Sequence, residues 1–288
     1  MALYYSPMEP KRTLPPWKTG LLFGAISLIL VAGFGLTPIE TGDDWRIFYD
    51  TSRRIWVGAP LYQPPTGYYN APWLAVLLAP LTLLPVRWGW AALTVANLLI
   101  ALILARRWQT GLVQPILALL SPAMVYIALH GQVDALVLGG LLLPTEWWVL
   151  AGLTKPQAAL GLVFGVPRRV WLRAAVLTGV ILVVSLLWFG NWPLEVVRVP
   201  GEIMRSTRNL WLGLWPFQVP VGVALILFGI RRRDTRLLVA ASPFLVPYAA
   251  MSSLLGVWLA LASYLKDWEA ALVWGCWWGA VLYRYFVP

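Results

Sequence analysis

Residues Val170 to Phe189 read VWLRAAVLTGVILVVSLLWF, a stretch whose only charged side chain is that of Arg173. About 20 consecutive apolar residues in an α-helix are long enough to cross the roughly 30 Å hydrocarbon core of a bilayer. The stretch therefore predicts a transmembrane helix.

The remainder of the chain is similarly apolar. Of its 288 residues, 60% are hydrophobic and 12% are charged, and the mean hydropathy is +0.72. Soluble domains carry about 25% charged residues, and a soluble protein of this size lacks the interior to bury so much apolar surface. The composition excludes a soluble protein and predicts an all-α membrane protein with several spans.

Single residues exclude several kinds of site. One cysteine, Cys276, excludes an intrachain disulfide and a cysteine-built metal site, and one histidine, His130, excludes a multi-histidine site. The net charge of +10 is compatible with nucleic-acid binding, but the arginines lie beside apolar runs, where they orient helices. We therefore predict membrane lipids as partners, and no nucleic acid.

Lysine and arginine precede the first apolar run, Leu21–Leu36, which places the N-terminus in the cytoplasm. Residues 1–18 are predicted to form a cytoplasmic tail, and residues 19–288 a single integral-membrane domain of a bacterial-type inner membrane. Several runs are shorter than 20 residues and Leu237–Leu265 is long enough to be a broken pair, so we expect eight to ten spans. The later runs are Trp73–Leu84, Trp88–Ala105, Leu112–Leu129, Val133–Leu143 with Trp147–Leu153, Pro156–Val166, Val170–Phe189, Leu210–Ile230, Leu237–Leu265 and Trp268–Val287.

Basic clusters at Arg106–Arg107, Arg168–Arg169 and Arg231–Arg233 predict cytoplasmic ends of spans. The loop around His130 and the second external loop, 190–209, then face outside. Two runs between Pro72 and Arg106 break the alternation of sides, so either one of them is re-entrant or one cluster is external.

The first external loop, residues 37–72, holds seven of the chain's 34 charged residues. Thr41-x-x-Asp44 is similar to a capping box, and Trp45, Phe48, Ser52 and Trp56 recur at helical spacing. We predict a short amphipathic helix on the outer membrane surface, with Asp50 and Arg54 spaced to pair.

Asp43 and Asp44 fall in the first turn of this helix, where the helix dipole favours ionised carboxylates. One reading is that both cap the helix. The other is that one acts as a general base at the membrane boundary.

From here the sequence resembles glycosyltransferase family 87, polyprenyl-phosphate-mannose-dependent α-mannosyltransferases of the GT-C fold. Asp44-Trp-Arg-Ile-Phe-Tyr49 is similar to an Asp-aromatic element that follows the family's first span, and Gly58–Tyr62 to its Gly-x-x-x-Tyr. Leu77-Leu-Ala-Pro80-Leu81 with Pro85 resembles the proline-containing run that comes next.

Downstream elements follow in order as far as Gly213. Ser121-Pro122 with Gly131-Gln132-Val133-Asp134 resembles the family's Ser-Pro and Gly-Gln-Val-Asn, and Gly152-Leu-Thr-Lys155-Pro156 its Lys-Pro element. Phe189-Gly190-Asn191 and Asn209-Leu-Trp-Leu-Gly213 resemble the edges of its second external loop.

The resemblance implies a GT-C-like bundle and a cell-envelope transferase. Such an enzyme transfers mannose or another hexose from a polyprenyl-phosphate sugar to a glycan, glycolipid or protein acceptor at the external leaflet. The resemblance implies that Asp44 is the catalytic base, and Asp43 is the second candidate for a catalytic residue. The lipid-linked donor is the only co-substrate, and neither a cofactor nor a divalent metal is indicated.

Further residues are candidates for donor or substrate binding. Lys155 stands alone between apolar runs, where an ionisable group suggests function and snorkelling is the alternative. His130, Gln132 and Asp134 cluster at one helix end, where a histidine satisfied by the backbone is the ordinary reading.

Surface residues of both external loops complete the candidates. Arg53 and Arg54 could reach a headgroup, as could Arg205 and Arg208, although each also fits a solvated surface charge. Tyr62 and Tyr69, like Tyr68, could stack on sugar rings, although interfacial tyrosines are common without a ligand.

Two other classes remain open. A lipid or solute transporter would place ionisable residues in mid-span and use broken helices, whereas the polar residues here concentrate in external loops. A non-catalytic or degenerate membrane subunit is the other, because the family's Tyr-Pro-Pro is replaced by Asn70-Ala71-Pro72.

Overall fold

The computed structural model describes residues 16–38, 40–62, 67–109, 111–197 and 205–286. Within these ranges every regular element is helical, so the all-α prediction is confirmed. Most of the predicted cytoplasmic tail, and residues 198–204 of the second external loop, lie outside the described residues. The α-helices are α1 (Pro16–Leu36), α2 (Asp43–Arg53), α3 (Pro72–Leu78), α4 (Val86–Trp108), α5 (Val113–Leu119), α6 (Pro122–His130), α7 (Asp134–Leu138), α8 (Trp148–Thr154), α9 (Pro156–Ala159), α10 (Trp171–Phe189), α11 (Trp192–Val197), α12 (Val219–Arg232), α13 (Thr235–Ala241), α14 (Leu255–Ala262) and α15 (Asp267–Phe286).

Three helical segments in the described part of the chain are long and apolar enough to cross a membrane. They are Val86–Trp108, Val113–His130 and Arg168–Phe189. Only 17% of the most apolar window of Arg168–Phe189 is buried, as expected for a helix whose sides contact lipid. Five further apolar segments have 10 to 17 residues, so three spans are what the structure supports of the eight to ten predicted.

Helix α2 is amphipathic, as predicted. It buries Trp45, Phe48 and Tyr49 and exposes Arg46 and Asp50. The predicted capping box is wrong, because the N-cap is Gly42 and no side chain caps the helix. The predicted Asp50–Arg54 pair is also absent within the described residues, since Arg54 Nη1 donates to the Pro60 carbonyl at 2.8 Å.

The segment Pro72–Leu83 lies against α2 at both of its ends. At its start, Tyr68 donates to the Ala71 carbonyl (2.8 Å) and packs edge-on against Phe48 of α2. At its end, the Tyr49 hydroxyl donates to the Leu84 carbonyl at 2.9 Å. Both ends of the segment therefore pack against α2.

Two apolar runs are broken inside the fold. Leu237–Leu265 divides into helical segments Thr235–Leu245 and Met251–Ala262, which confirms the predicted broken pair. Trp148–Gly165 breaks at Lys155, and its Gly161 N–H donates to Ser242 Oγ of the other broken run at 3.0 Å. The predicted run Leu210–Ile230 becomes helical only at Val219, because Pro216 and the left-handed Gly213 (φ 77°) prevent an earlier start.

Candidate functional site

The break at Lys155 follows from the proline after it. Proline disfavours helical backbone in the residue that precedes it, and Lys155 has φ −148° and ψ 87°. Its side chain is 6% exposed, and Nζ donates to Asp134 Oδ2 at 2.7 Å and to Gln132 Oε1. The lysine is therefore buried and paired, which excludes snorkelling to an interface.

Gln132 lies in the loop that joins α6 to α7. Gly131 ends α6 in the left-handed conformation (φ 68°), and the Gln132 carbonyl accepts from Asn97 Nδ2 of α4 at 2.8 Å. Asn97 Oδ1 also accepts from the Leu136 N–H at 2.9 Å, so one buried amide joins both sides of the loop. This bracing fixes the position of Gln132.

The Gln132 amide has a defined orientation. A lysine ammonium can only donate, so the amide oxygen must face Lys155 and the amide nitrogen points away from it. Gln132 Nε2 accordingly donates to Asp44 Oδ2 at 2.6 Å. A residue from the loop between α6 and α7 thus connects the buried lysine to the first turn of α2.

These contacts form one polar chain, Asp44–Gln132–Lys155–Asp134–Ser253, in which Ser253 Oγ donates to Asp134 Oδ1 at 3.2 Å. Gln132, Lys155, Asp134 and Ser253 are buried, and Asp134 is 0% exposed. Asp44 is only half-buried, and no described residue donates a hydrogen bond to its Oδ1. One end of the chain is therefore sealed, and the other presents a carboxylate oxygen that can accept a proton.

Two glycines allow α2 to approach the loop so closely. A Cβ on Gly42 would lie 2.3 Å from His130 Cα, and a Cβ on Gly131 would lie 2.3 Å from Trp45 Cβ. This contact of backbone on backbone brings Asp44 within reach of Gln132. It also leaves no room for a capping side chain at Gly42, which is why the capping box fails.

His130 lies beside the open end of the chain. Its half-buried ring contacts Tyr126, with ring centroids 4.1 Å apart. The charges of Asp44, Asp43 and Arg208 are near enough to act on the ring. Arg208 is exposed, and its charge is also within electrostatic range of Tyr126 and Tyr248. One guanidinium and two phenols therefore lie in the same region as the Asp44 carboxylate.

Asp43 and the two arginines of α2 do not join the chain. Asp43 is exposed at the first position of α2 and makes no cap. Arg53 and Arg54 follow Asp44 by nine and ten residues, which places them about 14 Å farther along the helix axis. The structure does not bring them to the polar chain, and their role in donor binding stays a prediction.

Tyr62 and Tyr69 lie in the loop after α2. The Tyr62 hydroxyl donates to the Asn70 carbonyl at 2.7 Å, and its ring stacks on Trp192 with centroids 6.5 Å apart. Burial raises the pKa of Tyr62 above its ordinary value of 10.0, which keeps the phenol protonated. One face of the Tyr62 ring is thus covered by Trp192 and is not open to a sugar ring. Tyr69 is half-buried and stacks on no ring among the described residues.

Several residues of the site were not singled out from the sequence. Asn97 and Ser253 are a lone amide and a hydroxyl within apolar runs, a signal like that of Lys155 but without charge. Tyr126 and Tyr248 resemble ordinary interfacial tyrosines, and only the fold brings them within electrostatic range of Asp44. Among the described residues, no group of three His, Cys, Asp or Glu side chains could hold a metal ion.

We found no match for this chain among protein-family models, curated proteins or solved structures.

Proposed function

We propose that the protein is an integral-membrane glycosyltransferase of the GT-C type. It would transfer mannose or another hexose from a polyprenyl-phosphate donor to an acceptor hydroxyl at the external leaflet. The observation that carries the proposal is the polar chain with its one partly exposed carboxylate. The sequence resemblance to family 87 points independently to the same residue, Asp44.

Asp44 serves as the general base. The acceptor hydroxyl gives its proton to Asp44 Oδ1, and the acceptor oxygen forms a bond to the anomeric carbon of the donor sugar. The bond from that carbon to the phosphate oxygen breaks, and the lipid phosphate leaves with the electron pair. A single displacement of this kind inverts the anomeric configuration.

Lys155 has a different role from the one its charge first suggests. Its ammonium is buried and already bonded to Gln132 and Asp134, so it is a positioning residue that orients Gln132. Gln132 in turn holds Asp44 Oδ2 and leaves Oδ1 toward the acceptor. Exposed Arg208, whose charge is within electrostatic range of His130 and Tyr126, binds the departing phosphate.

The proposed setting is a polytopic inner-membrane protein of eight to ten spans with the Asp44 end facing outside. The three long apolar helices support it. So does Pro72–Leu83, because both of its ends pack against α2 and a helix of 12 residues, about 18 Å long, is too short to cross the core. With that segment re-entrant, α4 runs from the side of α2 to Arg106 and Arg107. The alternation of sides then agrees with the positive-inside rule without an external basic cluster.

The test compares three proteins in membranes supplied with labelled polyprenyl-phosphate sugars and candidate acceptors. Asp44→Asn keeps the shape of the side chain and removes the base, so transfer should fall about 10²- to 10⁴-fold. Asp50→Asn is the matched control, because Asp50 is an exposed carboxylate on the same helix, and it should keep full transfer. Equal transfer by wild type and Asp44→Asn would remove Asp44 as base.

Absence of transfer by the wild-type protein with every donor would favour the other reading, a non-catalytic membrane subunit. Donor binding is a second readout, and it distinguishes loss of the base from loss of the donor site in Asp44→Asn. Wild type and Asp44→Asn should bind the labelled donor equally if the donor site is intact and only the proton transfer is lost.

A transporter is the second candidate, and one observation favours it. Lys155, Asp134 and Ser253 lie at breaks between helices inside the protein rather than in external loops, and broken helices with ionisable residues are typical of transporters. Uptake of labelled lipid-linked sugar or proton flux in proteoliposomes, abolished by Lys155→Met and unchanged by Asp44→Asn, would support transport over transfer.

A further inference from the structure

A cleft lined by basic residues lies at the ends of α4 and α12, far from Asp44 in the sequence. This basic cleft has a volume of about 390 Å³ and is lined by Arg107, Trp108 and residues 232–236. Two of the basic clusters that the sequence places at span ends, Arg106–Arg107 and Arg231–Arg233, therefore meet at one end of the molecule.

The cleft has an excess of positive charge that the protein itself does not neutralise. Its one carboxylate, Asp234, accepts from Arg236 Nη2 at 2.6 Å and from the Tyr264 hydroxyl, so Asp234 and Arg236 cancel each other. Among the described residues no carboxylate pairs with Arg107, Arg232 or Arg233, and all three are exposed. Three arginines therefore line one cleft without a carboxylate partner, and Arg107 Nη1 donates only to a backbone carbonyl, that of Leu141, at 3.2 Å.

The backbone at Arg233 adds a second observation. Arg233 ends α12 in the left-handed conformation (φ 54°), a position that usually holds glycine. An arginine here accepts a backbone cost that glycine would avoid, and the charged side chain is what the protein gains in return.

The surface beside the cleft is apolar. On α12, Leu227, Phe228 and Ile230 are 63%, 51% and 50% exposed, and the Arg232 guanidinium lies 5.9 Å from the centre of the Phe228 ring. Leu227 precedes Arg232 by about 7.5 Å along the helix axis. Acyl chains can thus follow α12 while a headgroup attached to them reaches the arginines.

We propose that the basic cleft binds the phosphate headgroup of an anionic phospholipid through Arg107, Arg232 and Arg233. Guanidinium groups recognise phosphate through paired, charge-assisted hydrogen bonds, and basic pockets between membrane helices suit anionic headgroups. The site is separate from the Asp44 chain and requires no assumption about the reaction there.

The test titrates the full-length protein in an uncharged detergent with a short-chain phosphatidylglycerol and follows the midpoint temperature of unfolding. The wild-type midpoint should rise and saturate. Arg232→Gln/Arg233→Gln should raise the half-saturating lipid concentration about 25-fold, from about fivefold per arginine. If that variant does not fold, Arg107→Gln decides, with an expected increase of about fivefold.

Arg168→Gln/Arg169→Gln is the matched control, because it removes the same charge from exposed residues outside the cleft. Its titration should equal that of the wild type. An equal loss in the control and the cleft variants, or no loss in the cleft variants, would overturn the proposal. Phosphatidylcholine and inorganic phosphate should produce no saturable shift. A shift by inorganic phosphate with the same arginine dependence would assign the cleft to a soluble anion instead.

Discussion

Replacement of Lys155 by methionine tests whether the buried ion pair organises the candidate site. Methionine keeps an unbranched stem of similar length and removes the ammonium. Asp134 would then remain 0% exposed with one hydrogen bond, the 3.2 Å contact from Ser253 Oγ. The Gln132 amide oxygen would lose its donor at the same time.

The expected cost follows from this geometry. Removal of one partner of a buried ion pair destabilises a protein by about 3–5 kcal/mol, because the other charge stays buried without compensation. The unsatisfied Gln132 oxygen would by itself cost about 1–3 kcal/mol. Both losses occur in one hydrogen-bonded network and do not add, so we expect about 3–5 kcal/mol for Lys155→Met.

A second substitution, Asp134→Asn, should change stability in opposite directions in the wild-type and Lys155→Met backgrounds. Asp134→Asn in the wild-type background leaves Lys155 as the unpaired charge and should destabilise the protein. In the Lys155→Met background the same change removes the last buried charge, so it should restore part of the lost stability.

The assay is equilibrium unfolding in mixed micelles of a neutral detergent and sodium dodecyl sulfate, followed by helical circular dichroism. Arg236→Gln is the control, because the Asp234–Arg236 pair reaches solvent (15% and 28% exposed) and its loss should cost less than that of the fully buried pair. The reasoning fails if Lys155→Met costs no more than this control. It also fails if Asp134→Asn destabilises both backgrounds equally.

Three further predictions concern other parts of the fold. Gly131→Ala should destabilise the protein by about 1–3 kcal/mol in the same assay, because the new Cβ would lie 2.3 Å from the Cβ of the facing tryptophan. Gly58→Ala has the same left-handed backbone (φ 64°) with open space around it, and a cost as large as that of Gly131→Ala would disprove the steric argument. The Arg236 hydrogen bonds lower the pKa of Asp234 to about 2, so its contribution is complete above about pH 4 and is lost as the pH falls toward 2. Between about pH 4 and pH 2 the wild-type protein should therefore lose stability that Asp234→Asn does not lose. If the pH profile of the free energy of unfolding were the same for both proteins, this prediction would be contradicted. Cysteines placed at the exposed positions Val57 and Leu84, with the natural cysteine replaced, should react with an impermeant maleimide from the same side. Labelling from opposite sides would show that Pro72–Leu83 crosses the membrane.

Local patterns predicted the helices well where one face contacts the interior. The spacing of Trp45 and Phe48 predicted α2, and both are buried there. The cap was predicted wrongly because Thr41 and Asp44 fit a capping box by spacing alone. The close approach of Gly42 to His130 is a tertiary contact between residues 88 positions apart, and spacing carries no information about it.

The candidate site could be predicted as single residues but not as an arrangement. Lys155, Gln132 and Asp134 are unusual as polar groups in apolar surroundings, which the sequence makes visible. Arg53 and Arg54 are candidates because they are close to Asp44 in sequence, but the rise of the helix places them farther along its axis. Ser253 could not be linked to Asp134 from the sequence, because 119 residues separate them.

The number of membrane crossings is hard to predict from the sequence for a related physical reason. Hydropathy measures whether a run can enter lipid, whereas the number of crossings depends on where the helix breaks. Pro156 breaks one run beside Lys155, and the other breaks at residues 246–250, so each run yields two short helices. Irregular backbone is tolerated at membrane depth only where it is buried in protein, so such breaks collect at the centre of a fold.

The position of the breaks also gives the two carboxylates of the polar chain different surroundings. Asp134 begins α7 next to the break at Lys155, and it is sealed from solvent and neutralised by that lysine. Asp44 begins α2 at the edge of the same chain, where Gln132 holds one oxygen and leaves the other open. An amide transmits orientation through its hydrogen bonds, but a neutral amide does not readily pass on a proton. In the proposed reaction, a proton taken up at Asp44 therefore comes from the open side, and the buried part of the chain holds that carboxylate in place.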